Sequence, residues 1–134
     1  MIVFCDAAFR PHLPGKPAWA GFAATAGRRK PVVLARAARR VPAEDSLEAE
    51  LRAVRLALAH VVRVKAKRAV VVTDCLTAFG YLSGGRCRNP RHQDVVARIQ
   101  ALLPLAPGVR FRWVPREKNR AAHAICTGAA KGVK

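Results

Sequence analysis

The sequence predicts an α/β fold built around a mixed sheet, and three observations support this expectation. Apolar segments at residues 2–5, 19–26 and 32–38 are joined by short links, which is typical of an antiparallel meander. Beyond them, helical patterns alternate with apolar strands, which favours parallel pairing in the later part of the sheet. Leucine and valine recur at spacings of four and three across residues 47–61, the pattern of one face of a long helix.

The length and composition fit one compact unit. With 134 residues, 51% of them apolar, the chain is long enough for one core and too short for two ordinary domains. We therefore expect a single domain spanning residues 1–134. No apolar run approaches the ~20 residues needed to cross a bilayer. Residues 1–6 lack the basic region and long apolar stretch of a signal peptide, so we expect a cytoplasmic protein without a membrane segment.

The first part of the chain supplies three strands. Residues 2–5 form a continuous apolar run, as in a buried strand. Residues 9–17 contain three prolines and a glycine and predict a loop. The small apolar residues 19–26 predict the second strand, and after a basic turn at residues 28–31 the third strand is expected at residues 32–38.

The rest of the chain alternates between helices and strands. Asp45 is the expected N-cap of the long helix, and Glu48 completes a capping box three residues later. That helix should end at about residue 62. The elements expected after it are a buried strand at residues 70–73, a short helix at 76–82, a helix at 92–103, a strand at 109–114, a last helix at 119–130 and a frayed basic tail at 131–134.

The net charge indicates the class of partner, and the cysteine content indicates whether a structural zinc site is expected. Lys and Arg total 25 against 8 Asp and Glu, a formal net charge of +17, which favours a polyanion such as nucleic acid. The alternative is the general basic bias of an arginine-rich proteome. The four cysteines form no C-x-x-C pair, which disfavours a structural zinc site. Cys5 and Cys75 are expected to be small core residues in reduced form.

Two aspartates occupy matching positions in the predicted sheet. Asp6 follows the first apolar strand, and Asp74 follows the strand at residues 70–73. If these strands pair in parallel, both carboxylates emerge at the edge where open α/β sheets bind ligands. Each aspartate alone could instead cap the next turn or helix, but two in such similar positions favour a metal site.

The long helix supplies a third carboxylate. Glu48 and Glu50 are two residues apart and therefore point in different directions. Glu48 lies in line with Arg52 on the polar face and is explained by its capping role. Glu50 lies between Leu47 and Val54, on the face that packs against the sheet. Because a buried, unpaired carboxylate is costly, we expect a metal ion shared with the two aspartates; the alternative is a salt bridge to an arginine.

Four segments of the sequence form an ordered set of motifs. They are the strand ending in Asp6, S-L-E-A-E-L-R-A-V at residues 46–54, V-V-V-T-D at 70–74 and W-V-P-R-E-K-N-R-A-A-H-A at 113–124. In order and spacing the set resembles the ribonuclease HI family over nearly the whole chain. The resemblance implies a ribonuclease H-like fold, with a mixed five-stranded sheet in the order 3-2-1-4-5 flanked by helices.

The same resemblance implies a chemistry. Members of the family cleave the RNA strand of RNA·DNA hybrids at an Asp-Glu-Asp-Asp site that holds two divalent ions, here Mg²⁺ or Mn²⁺. Asp6, Glu50 and Asp74 match the first three acids, but His123 stands four residues after Asn119, where the fourth acid is usual. We expect His123 to ligate metal or shuttle a proton, which shifts the metal preference towards Mn²⁺. The alternatives are a bystander histidine and a domain that binds nucleic acid with weak or lost cleavage.

Basic segments near the implied site are expected to contact substrate phosphates and the 2′-hydroxyl. The predicted substrate-binding residues are Ser46, Arg86, Arg88, Arg116, Lys118 and Asn119, with Arg91 and Arg120 in the same clusters. Each basic residue could equally belong to a solvated face. A structure-selective DNA nuclease of the same fold is a rival, whereas a proofreading exonuclease is disfavoured because Ala8 stands where its D-x-E motif needs Glu. Phe111 and Trp113 are expected to face the core rather than stack on bases.

Overall fold

Within residues 1–27 and 29–131, which the computed structural model describes, five strands and four helices follow the order expected from the sequence. The strands are β1 (Ile2–Phe9), β2 (Ala18–Ala26), β3 (Val32–Val41), β4 (Ala69–Thr73) and β5 (Val109–Trp113). The helices are α1 (Ser46–Arg63), α2 (Leu76–Leu82), α3 (Pro90–Leu102) and α4 (Arg120–Lys131). Arg28 of the predicted basic turn and residues 132–134 of the predicted tail lie outside the described residues, whereas Lys131 belongs to α4 rather than to a tail.

The strands form one mixed sheet in the spatial order β3-β2-β1-β4-β5, which confirms the predicted order. Strands β1, β2 and β3 pair antiparallel through short connections. Strand β4 pairs in parallel with both β1 and β5. The chain between these parallel neighbours passes through helices, because a parallel pair needs a long crossover connection.

Strand β1 continues past the apolar run that predicts it. The sequence predicts an end at residue 5, but β1 reaches Phe9 because β2 continues to pair with it, as far as Phe9 with Ala18. Pairing between β1 and β4 ends earlier, at Phe4 and Val72. Asp6 therefore lies inside β1 rather than at its end, but it is beyond the last residue that β4 covers.

Helices cover both faces of the sheet. Phe22 in β2 packs against His60 of α1, with ring centroids 4.7 Å apart. A Cβ atom on the neighbouring Gly21 would lie 2.6 Å from Sγ of Cys126 in α4. Because successive strand residues point to opposite faces, α1 and α4 lie on opposite sides of the sheet. Only glycine at position 21 allows α4 to approach this closely.

The apolar face of α1 forms the centre of the core, as its periodicity predicts. Leu51, Val54 and Leu58 are fully buried in the cluster that includes the sheet residues. Helix α3 adds Val95 and Ile99 to the same cluster. These contacts fix which residues of α1 point at the end of β4. No helix in the described part of the chain has the length and apolarity that a membrane span requires.

Candidate active site

Three carboxylates converge at the carboxyl end of β4. Asp6 lies two residues past the last β1–β4 pair, and Asp74 immediately follows β4, so parallel register brings them together. Glu50 reaches the same place from the second turn of α1. One carboxylate oxygen from each of the three lies within 4.8 Å of the other two. We call this set the carboxylate cluster; it brings together the three acids that the sequence analysis selected.

The environment of the cluster raises the pKa of its members. Burial and the neighbouring Asp74 raise the pKa of Asp6, although the Ala7 backbone and His123 oppose this in part. Burial, Asp6 and Asp74 raise the pKa of Glu50 to about 9, against a smaller opposing effect of Arg116. Nearby like charges and burial both disfavour the ionised form. In the metal-free protein the cluster therefore tends to hold protons.

The donor set fits a divalent cation. Oε2 of Glu50 is buried and has no hydrogen-bond partner among the described residues. A carboxylate oxygen left in that state costs free energy unless a cation meets it. Hard ions such as Mg²⁺ prefer carboxylate oxygens, and the cluster offers three such side chains within one small volume. Asp6, Glu50 and Asp74 are therefore the residues that could hold the metal.

His123 adjoins this cluster through one of its members. It lies in the first turn of α4, and its Nδ1 is 2.9 Å from Oδ2 of Asp6. Oγ1 of Thr127, one turn later, lies 3.4 Å from its Nε2. The imidazole is about half exposed. The helix thus presents His123 beside Asp6, at the position where the family carries its fourth acid.

Asn119 requires a correction to its predicted role. The sequence analysis placed it among the substrate-binding residues, but its side chain is fully buried. Its Nδ2 donates to the backbone carbonyl of Cys5 at 2.8 Å and to Oδ2 of Asp74 at 3.1 Å. A fully buried amide with these partners does not present itself to a phosphate. Its contacts are within the site.

Glu48 and Arg91 also differ from expectation. Glu48 was expected on the polar face of α1 with a capping role, and the structure shows it fully buried. Arg91 donates to it through Nε at 2.7 Å and Nη2 at 3.0 Å, and Arg52 donates through Nη2 at 2.9 Å. The N-cap part of the capping box is present, because Oδ1 of Asp45 accepts from the Glu48 N–H. Glu48 accepts a hydrogen bond from the N–H of Glu44 rather than from that of the N-cap Asp45. Arg91 is paired with Glu48, and its side chain remains about half exposed.

The other predicted substrate-binding residues are exposed. Arg86 and Arg88 lie between α2 and α3, and Arg116 and Lys118 lie in the turn before α4. Ser46 begins α1 and is also exposed. Arg116 is close enough to Glu50 to lower its pKa in part. These side chains are accessible to a polyanion.

Two residues that support the aspartates were not recognised from the sequence. Nε1 of Trp113 donates to the backbone carbonyl of Asp74 at 3.1 Å, and the residue is 39% exposed rather than in the core. Sγ of Cys126 donates to the backbone carbonyl of Asp6 at 3.1 Å. The register of β5 beside β4, which pairs Trp113 with Thr73, is the signal that could have located the first contact. Nothing local in the sequence indicates the second.

The sequence matches the model of the family described as Reverse transcriptase-like over residues 17–129. None of the curated proteins matches it significantly. Among solved structures, the N-terminal RNase H domain of Rv2228c from Mycobacterium tuberculosis is 25% identical, with a TM-score of 0.81 over 99% of this chain and 97% of that chain. RNase H1 from Halobacterium salinarum is 19% identical, with a TM-score of 0.84 over 98% of each chain.

A third structure combines the fold with a ligand. LC11-RNase H1, solved in complex with an RNA/DNA hybrid, is 19% identical, with a TM-score of 0.83 over 99% of each chain. At this identity the likeness concerns the fold. The match to the family covers most of the chain, and the sheet order, the helices and the carboxylate cluster agree with it. The chain belongs to the ribonuclease H family, within the group described as Reverse transcriptase-like.

Proposed function

We propose that this chain is a divalent-metal-dependent endonuclease that hydrolyses the RNA strand of RNA·DNA hybrids. The observation that carries the proposal is the carboxylate cluster, with its buried, unpartnered Glu50 oxygen, in a chain of net charge +17. A cation-binding cluster inside a basic protein is suited to phosphodiester cleavage, because the metal and the basic surface both attract the phosphate backbone. The hybrid-bound structure of LC11-RNase H1 supports the choice of substrate.

The residues of the site would divide the work as follows. Asp6, which Glu50 and His123 both contact, would hold metal together with Glu50 and Asp74. Glu50 and Asp74 would each complete the binding of one ion. Bound divalent ions would supply an activated water and would relieve the charge on the leaving 3′-oxygen. His123 holds Asp6 through Nδ1, and its exposed ring can carry a proton at the edge of the site.

Substrate would be held by phosphate contacts rather than by base contacts. Arg86 and Arg88 are exposed in the segment between α2 and α3, and Arg116 and Lys118 are exposed in the turn before α4. Recognition of a hybrid depends on its backbone and on the 2′-hydroxyl, which a polar group at the start of α1, such as Ser46, could contact. Such binding is independent of base sequence.

A cleavage assay tests the proposal. Labelled RNA·DNA hybrid, double-stranded RNA and branched DNA are each incubated with the protein and Mg²⁺ or Mn²⁺. We expect cleavage of the hybrid's RNA strand, and its loss in Asp6→Asn and Asp74→Asn. Asp94→Asn is the control, since Asp94 pairs with Arg98 on the exposed face of α3. Binding of hybrid without cleavage would instead support a binding domain, and preferential cleavage of branched DNA would support the rival nuclease.

We further propose that Mn²⁺ is the preferred ion, because His123 stands beside Asp6 in place of an acid and imidazole suits Mn²⁺ better than Mg²⁺. His123→Asp should raise Mg²⁺-dependent turnover and reduce the ratio of Mn²⁺ to Mg²⁺ activity. His12→Asp, in the exposed loop after β1, should leave that ratio unchanged. The same ratio in His123→Asp as in the parent would mean that His123 does not influence the metal.

A further inference from the structure

Asn119 lies where three site-bearing elements meet. It immediately precedes α4, and its backbone carbonyl accepts from the N–H of His123 at 3.2 Å. Its side chain crosses to β1, where Nδ2 donates to the carbonyl of Cys5, the residue before Asp6. The same Nδ2 donates to Oδ2 of Asp74 after β4. One residue therefore connects the segments that carry Asp6, Asp74 and His123.

The two acceptors determine the orientation of this amide. With Nδ2 facing a carbonyl and a carboxylate, a flipped amide would place Oδ1 against two acceptors and lose both bonds. Oδ1 is buried and has no partner among the described residues. An asparagine at the start of a helix ordinarily uses that oxygen to accept from an N–H of the first turn. Asn119 does not use its oxygen in this way. The polar contacts of its side chain are those made by Nδ2.

Asp74 depends on this contact more than Asp6 does on any single partner. Among the described residues, no other side chain donates to the Asp74 carboxylate, and Asn119 holds only Oδ2. Oδ1 is thus left for a cation. Asp6 has both His123 and a backbone N–H. The amide is also neutral, so it orients Asp74 without cancelling the negative charge that attracts a metal, as an arginine in its place would do.

We propose that Asn119 is a positioning residue, which holds the Asp74 carboxylate in the orientation that binds a divalent cation. This inference rests on the proposed function, since it concerns the same metal site. Groups that orient metal ligands typically change metal affinity or activity by about 10–100-fold when they are removed. Because Nδ2 also donates to the carbonyl of Cys5, the Asn119 amide is held between β1 and the end of β4. These two contacts fix its orientation toward Asp74.

The test compares Asn119→Leu with the parent by two measurements. Leucine keeps the branching of asparagine but has no donor. Titration with Mn²⁺ in the absence of nucleic acid should give a dissociation constant about 10-fold weaker or more. In hybrid cleavage, kcat should fall by about 10–100-fold while KM for the hybrid changes less than about twofold, because phosphate contacts are unaffected.

Val95→Ala is the matched control, since Val95 is fully buried in α3 and has no polar contact with the site. It should lower the unfolding temperature and leave both the Mn²⁺ affinity and kcat unchanged. If Asn119→Leu does not fold, Asn119→Ser, which is smaller and too short to reach both acceptors, carries the same test. Parent-like Mn²⁺ affinity and kcat in the folded variant would overturn the positioning role alone. A parent protein that binds no Mn²⁺ would overturn the proposed function and the positioning role with it.

Discussion

Glu48 and Glu50 are two residues apart on α1, and their environments move their pKa values in opposite directions. Burial, Asp6 and Asp74 raise the pKa of Glu50 to about 9. Burial alone would raise the pKa of Glu48 too, but hydrogen bonds from Arg91, the Glu44 N–H and Arg52 outweigh it and lower that pKa to about 2. Because α-helical residues two apart lie on nearly opposite sides, one glutamate enters the carboxylate cluster and the other enters an arginine pair. Glu50 is therefore suited to bind a cation and Glu48 to stabilise the fold.

Glu50→Gln should make the metal-free protein more stable at pH 8. The folded pKa of about 9 lies above the ordinary 4.5, so between these values the folded protein holds a proton that the unfolded chain releases. The stability of the parent therefore decreases as the pH rises through this interval, whereas glutamine does not titrate. We expect the variant to gain about 1–3 kcal/mol in free energy of unfolding, the cost of an unsatisfied buried group, measured by urea denaturation with EDTA.

Glu117→Gln, in the exposed turn before α4, is the control and should retain the pH dependence of the parent. Addition of Mg²⁺ should stabilise the parent more than Glu50→Gln, since a ligand stabilises the state that binds it. If Glu50→Gln and the parent lose stability in parallel between pH 5 and pH 9, another group is responsible for the dependence.

Part of this residue-scale detail was predictable. The ends of the apolar runs located Asp6 and Asp74, although β1 itself continues past Asp6. Helix periodicity selected Glu50 over Glu48. Both signals are local. The burial of Asn119 was not predictable, since its partners Cys5 and Asp74 are 114 and 45 residues away in sequence. In a sequence, an asparagine that faces a phosphate cannot be distinguished from one that donates to a buried carbonyl.

At the scale of elements, the starts of α1 and α3 are joined by charged contacts. Glu48 bonds to Arg91, and Asp45, the N-cap of α1, lies 2.9 Å from Nε2 of His92. Helix α3 begins at Pro90 rather than at residue 92 because Asn89 caps it by accepting from the N–H groups of Arg91 and His92. The Asn-Pro pair was the available sequence signal. The pairing of Glu48 with Arg91 could not be predicted from the sequence, because 43 residues separate them.

Glu48→Gln should destabilise the protein by about 2 kcal/mol at pH 7, since it removes the charge of a buried carboxylate that accepts hydrogen bonds from Arg52 and from the half-exposed Arg91. That exceeds the roughly 1 kcal/mol expected of a capping residue alone. A folded pKa of about 2, below the ordinary 4.5, means that this stabilisation is present above pH 4.5 and is lost as the pH falls towards 2. Urea denaturation at pH 7 and pH 3 should show the difference from the parent shrinking in acid.

Asp94→Asn breaks the exposed pair with Arg98 on α3 and should cost less than about 0.5 kcal/mol at either pH. Hybrid cleavage by Glu48→Gln should stay within a few-fold of the parent at temperatures where it is folded. A loss of cleavage in the folded variant, as large as that of Glu50→Gln, would mean that the helix-face assignment of the two glutamates is wrong.

At the scale of the whole molecule, the strand order places the carboxylate cluster and one group of basic residues at the same end of the sheet. The order was predictable because the resemblance to the ribonuclease HI family implies it, and three linked strands followed by two strand–helix alternations agree with it. The carboxylate cluster lies at the carboxyl end of β4, and Lys118 lies in the turn between the carboxyl end of β5 and α4. Arg68 and Arg110 are also exposed, but they lie at the opposite end of β4 and β5. The net charge of +17 alone does not tell these two basic groups apart.

Salt dependence separates the two ends of the sheet. Each phosphate contact adds about one unit to the slope of log affinity against log salt, so Arg88→Ala and Lys118→Ala should each flatten that slope by about 1. Arg68→Ala, at the far end of the sheet, should lower affinity only slightly and leave the slope intact. Fluorescence anisotropy of a labelled hybrid in EDTA, across a salt series, measures binding without cleavage. If Arg68→Ala flattens the slope as much as Lys118→Ala does, binding is spread over the whole basic surface and the hybrid is not confined to the end that carries the carboxylates.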